Sequence, residues 1–96
     1  MSGARFKVLV TDKVAGPALG ALRDDKRFEV VLIDDSKDPK FMEALATAHG
    51  LIVRSATKVK ADMFAKAPVL RVVGRAGVGV DNIDLVAATE RGVAVL

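Results

Sequence analysis

Hydrophobic positions in this 96-residue chain fall into short apolar runs, and each run is followed by residues spaced for one face of a helix. Residues 7–11, Lys-Val-Leu-Val-Thr, predict a first strand that ends on Asp12. Val14, Ala15, Ala18, Leu19 and Leu22 then recur at helical spacing and predict a helix to about Arg23. Gly16, Pro17 and Gly20 weaken it, and a proline is tolerated only in a first turn, so the helix starts at Pro17 or a little before. Residues 28–33 predict a second strand and Asp34 to Lys37 a polar loop. Asp38-Pro39 reads as an N-cap followed by proline at the first helical position, with Phe41, Met42, Leu45 and Ala46 on one apolar face and Gly50 as a left-handed cap.

Leu51-Ile52-Val53 is a third strand, apolar on both faces. A third helix is expected over residues 60–67, with Met63 and Phe64 inward and Pro68 as its stop, and a fourth strand over 69–73. Residues 84–91 predict a fourth helix closed by Gly92, and residues 93–96 begin a fifth strand. Strands without polar alternation that alternate with helices indicate a parallel sheet covered on both faces. The expected fold is therefore α/β, a doubly wound sheet of flavodoxin-like order 2-1-3-4-5, with its crevice between the first and third strands at their carboxyl ends. Three loops leave strands at that edge: Asp12-Lys13, Arg54-Ser55, and the stretch from Gly74 to Asp81.

No fifth helix follows the fifth strand, and Leu96, apolar and in mid-strand, reads as a cut, so the chain is expected to be a fragment or the ordered part of something longer. A missing helix would leave an apolar strip on the sheet beside the first helix, and such strips favour association. A homodimer is the expectation, with exchange of terminal elements as one route to it.

The candidate chemistry lies in Val72-Val73-Gly74-Arg75-Ala76-Gly77-Val78-Gly79-Val80-Asp81-Asn82-Ile83-Asp84. Glycines let backbone N–H groups approach a ligand, and Asp81 or Asn82 could cap the helix that follows, whose N-terminus favours an anion. A carboxylate suits such a pocket. The plainer reading, that the glycines merely permit a tight turn, fits the residues equally well. Twenty residues upstream, Arg54-Ser55-Ala56-Thr57-Lys58 brings a cation and hydroxyls to the same edge. A guanidinium can hold two oxygens of one phosphate or carboxylate, although an arginine in a loop is ordinarily solvated or ion-paired. The glycine order G-x-x-G-x-G is not the dinucleotide fingerprint, and no acidic residue stands about 20 positions later at a strand end. A receiver domain would need an aspartate where Arg54 stands, and a flavodoxin would need a hydroxyl-rich loop where Thr11-Asp12-Lys13-Val14-Ala15 stands. Met42 and Met63 read as core, and Lys58 and Lys60 as solvated.

Composition narrows the partners. With 51% apolar residues the chain can build a core, and with no cysteine it has neither disulfide nor zinc–thiolate site, which fits a reducing cytoplasm. Residues 1–5 lack the apolar stretch of a signal peptide, and no apolar run approaches the ~20 residues of a membrane span, so neither membrane nor secretion is expected. A net charge of +3 with interleaved signs, and only four aromatic residues, all Phe, argue against nucleic acid.

On the paired motifs Val53-Arg54-Ser55-Ala56-Thr57-Lys58 and Gly74 to Asp84, the chain resembles the D-2-hydroxyacid dehydrogenases, and within them the branch that oxidises 3-phosphoglycerate at the opening of serine synthesis. The resemblance covers nearly the whole chain. It implies an NAD-dependent oxidoreductase with two α/β domains, residues 1–96 being the first segment of the substrate-binding domain and the NAD-binding domain following. The helix absent here would come from the returning carboxyl end. Arg54 and Ser55 would meet substrate, with Arg54 on its phosphate; the backbone of Gly77, Val78 and Gly79 would hold its carboxylate; Arg75 belongs to the same loop. Where some relatives carry Thr, residue 78 is Val, which keeps a backbone contact and loses a hydroxyl. The family's NAD glycine motif, catalytic arginine and acid–histidine pair would all lie beyond Leu96. No residue of this chain is therefore expected to be catalytic, and none to bind the cofactor or a metal. Another D-2-hydroxy acid remains an alternative substrate, and a non-catalytic anion-binding or self-associating module an alternative role. His49 reads as a surface residue near the end of the second helix, where a cation suits the dipole.

Overall fold

A row of apolar side chains, Val31–Leu9–Leu51–Val73–Val95, runs in register across five parallel strands. The computed structural model describes residues 5–14, 17–76 and 82–96. The strands are β1 (Phe6–Val10), β2 (Phe28–Leu32), β3 (Gly50–Val53), β4 (Val72–Arg75) and β5 (Ala94–Val95), in the spatial order β2-β1-β3-β4-β5. Between them lie α1 (Pro17–Asp24), α2 (Pro39–Leu45), α3 (Ala61–Ala65) and α4 (Leu85–Glu90). This is the expected α/β order. Strand pairing in parallel requires a crossover each time, and each helix supplies one.

The row packs against Phe41 and Leu45 of α2, Phe64 of α3, and Ala87 and Ala88 of α4. Leu9, Leu51 and Val73 are fully buried there, each contributing about 1.5–3 kcal/mol by leaving water. The opposite face is different. Phe6, Val8, Val72 and Leu22 of α1, with Gly50 and Gly74, line an apolar trough of about 230 Å³. Val8 is buried, Ile52 and Val72 are half-buried, and Ala94 is exposed, so cover fades from β1 towards β5. No helix among the described residues is long and apolar enough to cross a membrane.

Several local expectations are corrected. Gly50 is not a helix cap. Helix α2 ends earlier, at Leu45 with Ala46 as its cap, and Gly50 is the first residue of β3. What it supplies there is absence of bulk, since a Cβ would stand 3.2 Å from the Phe6 ring. β4 begins three residues later than the hydrophobic run suggests, because turns closed by Ala67 N to Phe64 O and Leu70 N to Ala67 O take up its start. Gly74 and Arg75 are thereby ladder residues, paired with Ile52 and Val53. Helix α4 is capped by Asp84, whose carboxylate accepts from Ala87 N at 3.0 Å, and not by Asn82; Asp81 lies outside the described residues. Asp38 does cap α2, accepting from Lys40 N at 2.9 Å, and Gly92 closes α4 at φ +70°.

His49 likewise does not lie exposed on a helix end. It sits half-buried in the turn before β3, its Nδ1 accepts from Lys7 N at 2.9 Å, and its ring lies 5.2 Å from that of Phe6. An apolar neighbour and a main-chain donor fix it as an acceptor of structural use.

Candidate functional site

At the carboxyl ends of β1, β3 and β4 the chain leaves the sheet through short polar segments, and three side chains knit these together. The first is Asp12. It follows β1 with φ 61°, and Lys13 follows with φ 56°, so two successive non-glycine residues occupy the left-handed region. Such residues cost of order 1–3 kcal/mol each unless the surroundings hold them. What holds Asp12 is its carboxylate: Oδ2 accepts from Arg54 N at 2.9 Å and Thr57 N at 3.0 Å, and Oδ1 accepts from the Thr57 hydroxyl at 2.6 Å. The loop after β3 is thus wrapped round a carboxylate from β1, and charge-assisted bonds of this kind are the stronger class.

The second is Asn82, 25 residues beyond that loop. Its Nδ2 donates to Arg54 O at 2.6 Å and to Thr57 O at 2.7 Å. The third is Arg75 at the end of β4, whose Nε donates to Asn82 Oδ1 at 2.8 Å. Main-chain bonds close the seam: Val59 N to Asn82 O at 2.7 Å, Asp84 N to Val59 O at 2.8 Å, and Ala76 N to Val53 O at 2.8 Å. Val59 and Ile83 form an isolated parallel bridge, both side chains buried beneath.

The expected site residues divide as follows. Arg54 and Ser55 are exposed at this edge. Arg75 is half-buried and pairs in register with Val53, the residue before Arg54, so the two arginines stand one residue apart at the ends of adjacent strands. Gly77, Val78 and Gly79 lie outside the described residues. Sequence reasoning misses Asp12, Thr57 and Asn82 as organisers of the loops. It singles out Asp12 only for where it stands, and Asn82 only as a helix cap. Nothing in the spacing announces bonds that span 42, 45 and 28 residues.

A cavity of about 370 Å³ at this edge opens over Asp12, Lys13, Asp34, Asp35, Lys37 and Ala56. Its lining carries three carboxylates against two ammonium groups, whereas Arg54 and Arg75 stand at the ends of β3 and β4. Among the described residues no group of three or more His, Asp or Glu could hold a metal ion.

Three comparisons bear on this arrangement. Residues 8–96 match the family described as D-isomer specific 2-hydroxyacid dehydrogenase, catalytic domain. D-3-phosphoglycerate dehydrogenase of Mycobacterium tuberculosis is 47% identical over 89 residues, which are 93% of this chain and 16% of that protein. The enzyme of the same name from Bacillus subtilis is 46% identical over 93 residues, 95% of this chain and 17% of its own length. The chain therefore spans about a sixth of these relatives. Among solved structures, NAD+-bound 3-phosphoglycerate dehydrogenase of Entamoeba histolytica superposes with a TM-score of 0.79 at 32% identity, over 96% of this chain and 32% of that one. A match of that extent at both levels settles the family: this chain belongs to the D-isomer specific 2-hydroxyacid dehydrogenases.

Proposed function

We propose that this chain is the first segment of the substrate-binding domain of an NAD-dependent D-3-phosphoglycerate dehydrogenase. The enzyme would convert 3-phosphoglycerate to 3-phosphohydroxypyruvate in a reducing cytoplasm, at the start of serine synthesis. One observation carries the reading: Arg54 and Arg75, at the ends of neighbouring strands, are tied to a single amide on one edge of the sheet. Two arginines that leave neighbouring strands at one edge suit an anionic substrate. In this reading Arg54 takes the phosphate, Ser55 and Arg75 complete the polar rim, and the backbone of Gly77, Val78 and Gly79 takes the carboxylate. Holding both ends of the substrate fixes where its 2-carbon points, and that is what this segment contributes to rate.

In this reading the loops of this chain do not carry NAD. Asp12, Asp34 and Asp35 stand at the carboxyl ends of β1 and β2, where a pyrophosphate would meet like charge. The hydride carrier is therefore assigned to the following domain, and the isolated 96-residue chain should be inactive. Oxidation of NADH with 3-phosphohydroxypyruvate by the purified chain, above background, would refute that.

The direct test of the site is a residue-resolved NMR titration with 3-phosphoglycerate and, as the phosphate-free control, D-lactate. Shifts at Arg54, Ser55, Arg75 and residues 77–82, stronger for the phosphorylated ligand, are expected. In the whole enzyme, Arg54→Lys should weaken phosphorylated ligands more than unphosphorylated ones; equal loss would return the substrate to the wider class of D-2-hydroxy acids. A second reading rests on the apolar trough beside α1, which favours self-association of the isolated chain into a homodimer. Light scattering that shows a stable monomer at micromolar concentration would count against it.

A further inference from the structure

Among the described residues, Asn82 is the one side chain bonded both to the Arg54–Thr57 loop and to the Arg75 guanidinium. Its amide has two donor hydrogens and one acceptor oxygen, and all three are used. The two hydrogens meet two carbonyl oxygens, of Arg54 and Thr57, and the oxygen meets a nitrogen that can only donate. That pattern fixes which way the amide points, since the reversed amide would face oxygen to oxygen twice and nitrogen to nitrogen once.

We propose that Asn82 is a positioning residue that registers Arg54 and Arg75 to each other, one amide linking the Arg54 backbone to the Arg75 guanidinium. The inference deepens the reading of the site as a pocket for a phosphorylated hydroxy acid, and rests on it. Asp12 holds the same loop from the opposite side, through Arg54 N and Thr57 N. The peptide units on either side of Arg54 are thus each gripped: the N–H of residue 54 by a carboxylate rooted in β1, and its C=O by an amide rooted beyond β4. With both ends of the residue fixed, its side chain leaves from a defined point. Arg75 Nε, engaged by Asn82, fixes the plane of the second guanidinium in the same way. A ligand that pulls on one cation is then felt at the other.

Three substitutions separate the parts. Asn82→Asp keeps an acceptor for Arg75 but turns an oxygen towards two carbonyls, so it loosens the Arg54 loop selectively. Arg75→Lys removes only the guanidinium half. Asn82→Ala removes both halves. The 96-residue chain, labelled with 15N, is titrated with 3-phosphoglycerate and D-lactate, following the Arg54 and Thr57 amides and the Arg75 Nε–H signal, with thermal midpoints measured alongside. The expected result is that Asn82→Asp moves the Arg54 and Thr57 amides while keeping the Arg75 Nε–H protected. Asn82→Ala, which adds no charge, lowers affinity for 3-phosphoglycerate about tenfold, the size of one lost hydrogen bond to a charged partner, and D-lactate affinity less. A purely structural role would lower both affinities together, in step with the thermal midpoint, and would overturn the proposal. Unchanged affinity in Asn82→Asp and Asn82→Ala would also overturn it and leave the substrate reading standing. If neither ligand binds the wild-type chain, the substrate reading of this segment fails. The registration of the two arginines then still stands if the ligand-free Asn82→Asp spectrum shows the selective loosening, and falls if it does not. Should Asn82→Ala fail to fold, Arg75→Lys tests the Arg75 half in its place: loss of the shared response supports the registration, and a retained response overturns it.

Discussion

The two ends of the sheet are held by opposite means. At the amino ends of the strands the Phe6 ring meets Phe28 edge-on at 5.8 Å and His49 at 5.2 Å, while Gly50 lies under it without a side chain. At the carboxyl ends no ring takes part in the contacts described; Asp12, Asn82 and Arg75 reach across loops to main-chain atoms and to one another. Ring packing, with the bond from Lys7 N to His49 Nδ1, closes the amino end. Side-chain hydrogen bonds join the loops at the carboxyl end, where Arg54 and Ser55 stay exposed. The difference lies in what joins the strand ends: rings at one, long-range polar bonds at the other.

The heaviest blow to the carboxyl end is Asp12→Ala. Two amides and a hydroxyl lose their acceptor, and an alanine must take φ near 61° in place of a residue that tolerates it. We expect a loss of about 3 kcal/mol, from roughly 1–3 for the unpaired donors and ~1 for the backbone, read from urea unfolding. Asp12→Asn keeps the backbone preference and one oxygen and should lose less than half as much. Equal losses would mean that the carboxylate is not what holds this end.

The amino end should respond to bulk instead. Gly50→Leu must displace the Phe6 ring, with a cost of about 1–3 kcal/mol, typical of overpacking. Gly50→Ala asks the ring to yield only a few tenths of an ångström and should cost well under that. A Gly50→Leu chain of native stability would show that this end is looser than its contacts suggest.

That contrast also explains what can be read in the sequence. Strand order is legible, because Val8 to Val10, Leu51 to Val53 and Val72-Val73 carry no alternation and each is followed by a helical spacing. The convergence of Arg54 and Arg75 is legible for the same reason, since both follow from strand order. Roles that depend on long-range polar bonds are not. Asn82 stands two residues from a genuine cap and obeys the same local preference, so only the fold distinguishes it from Asp84. Gly50 and His49 mislead differently: helix α2 ends a turn early, and residues that suit its terminus are claimed by β1 and β3.

Thr11 tests how selective the carboxyl-end network is. It adjoins Asp12 and is fully buried, yet among the described residues its hydroxyl has no hydrogen-bond partner. Replacing a buried unpaired hydroxyl by a methyl should be neutral or favourable, so Thr11→Val is expected to gain up to ~1 kcal/mol in chemical unfolding. A clear loss would mean that the hydroxyl serves the network after all.

The smallest effect belongs to the amino end and is set by pH. Asp25 and Arg27, in the turn before β2, pair at 2.7 Å, and Arg27 also lies over the Phe28 ring at 5.8 Å. Hydrogen bonds from the Arg27 side chain, and then from its backbone N–H, hold the Asp25 carboxyl at about 2, below the usual 3.8. A carboxylate whose folded pKa is depressed adds stability above its unfolded pKa, and that stability is lost as pH falls through the folded value. The contribution should therefore be complete above pH ~4 and vanish on acidification towards pH ~2. Because the pair is at the surface, solvent and salt screen it, and the effect should be slight and shrink further in molar salt. Asp25→Asn should flatten the pH dependence of unfolding in that window alone and leave the Arg54 and Thr57 amide signals unmoved. Movement of those signals would show that the two ends of the sheet are coupled, and that the division between a packed end and a bonded end is not one the molecule observes.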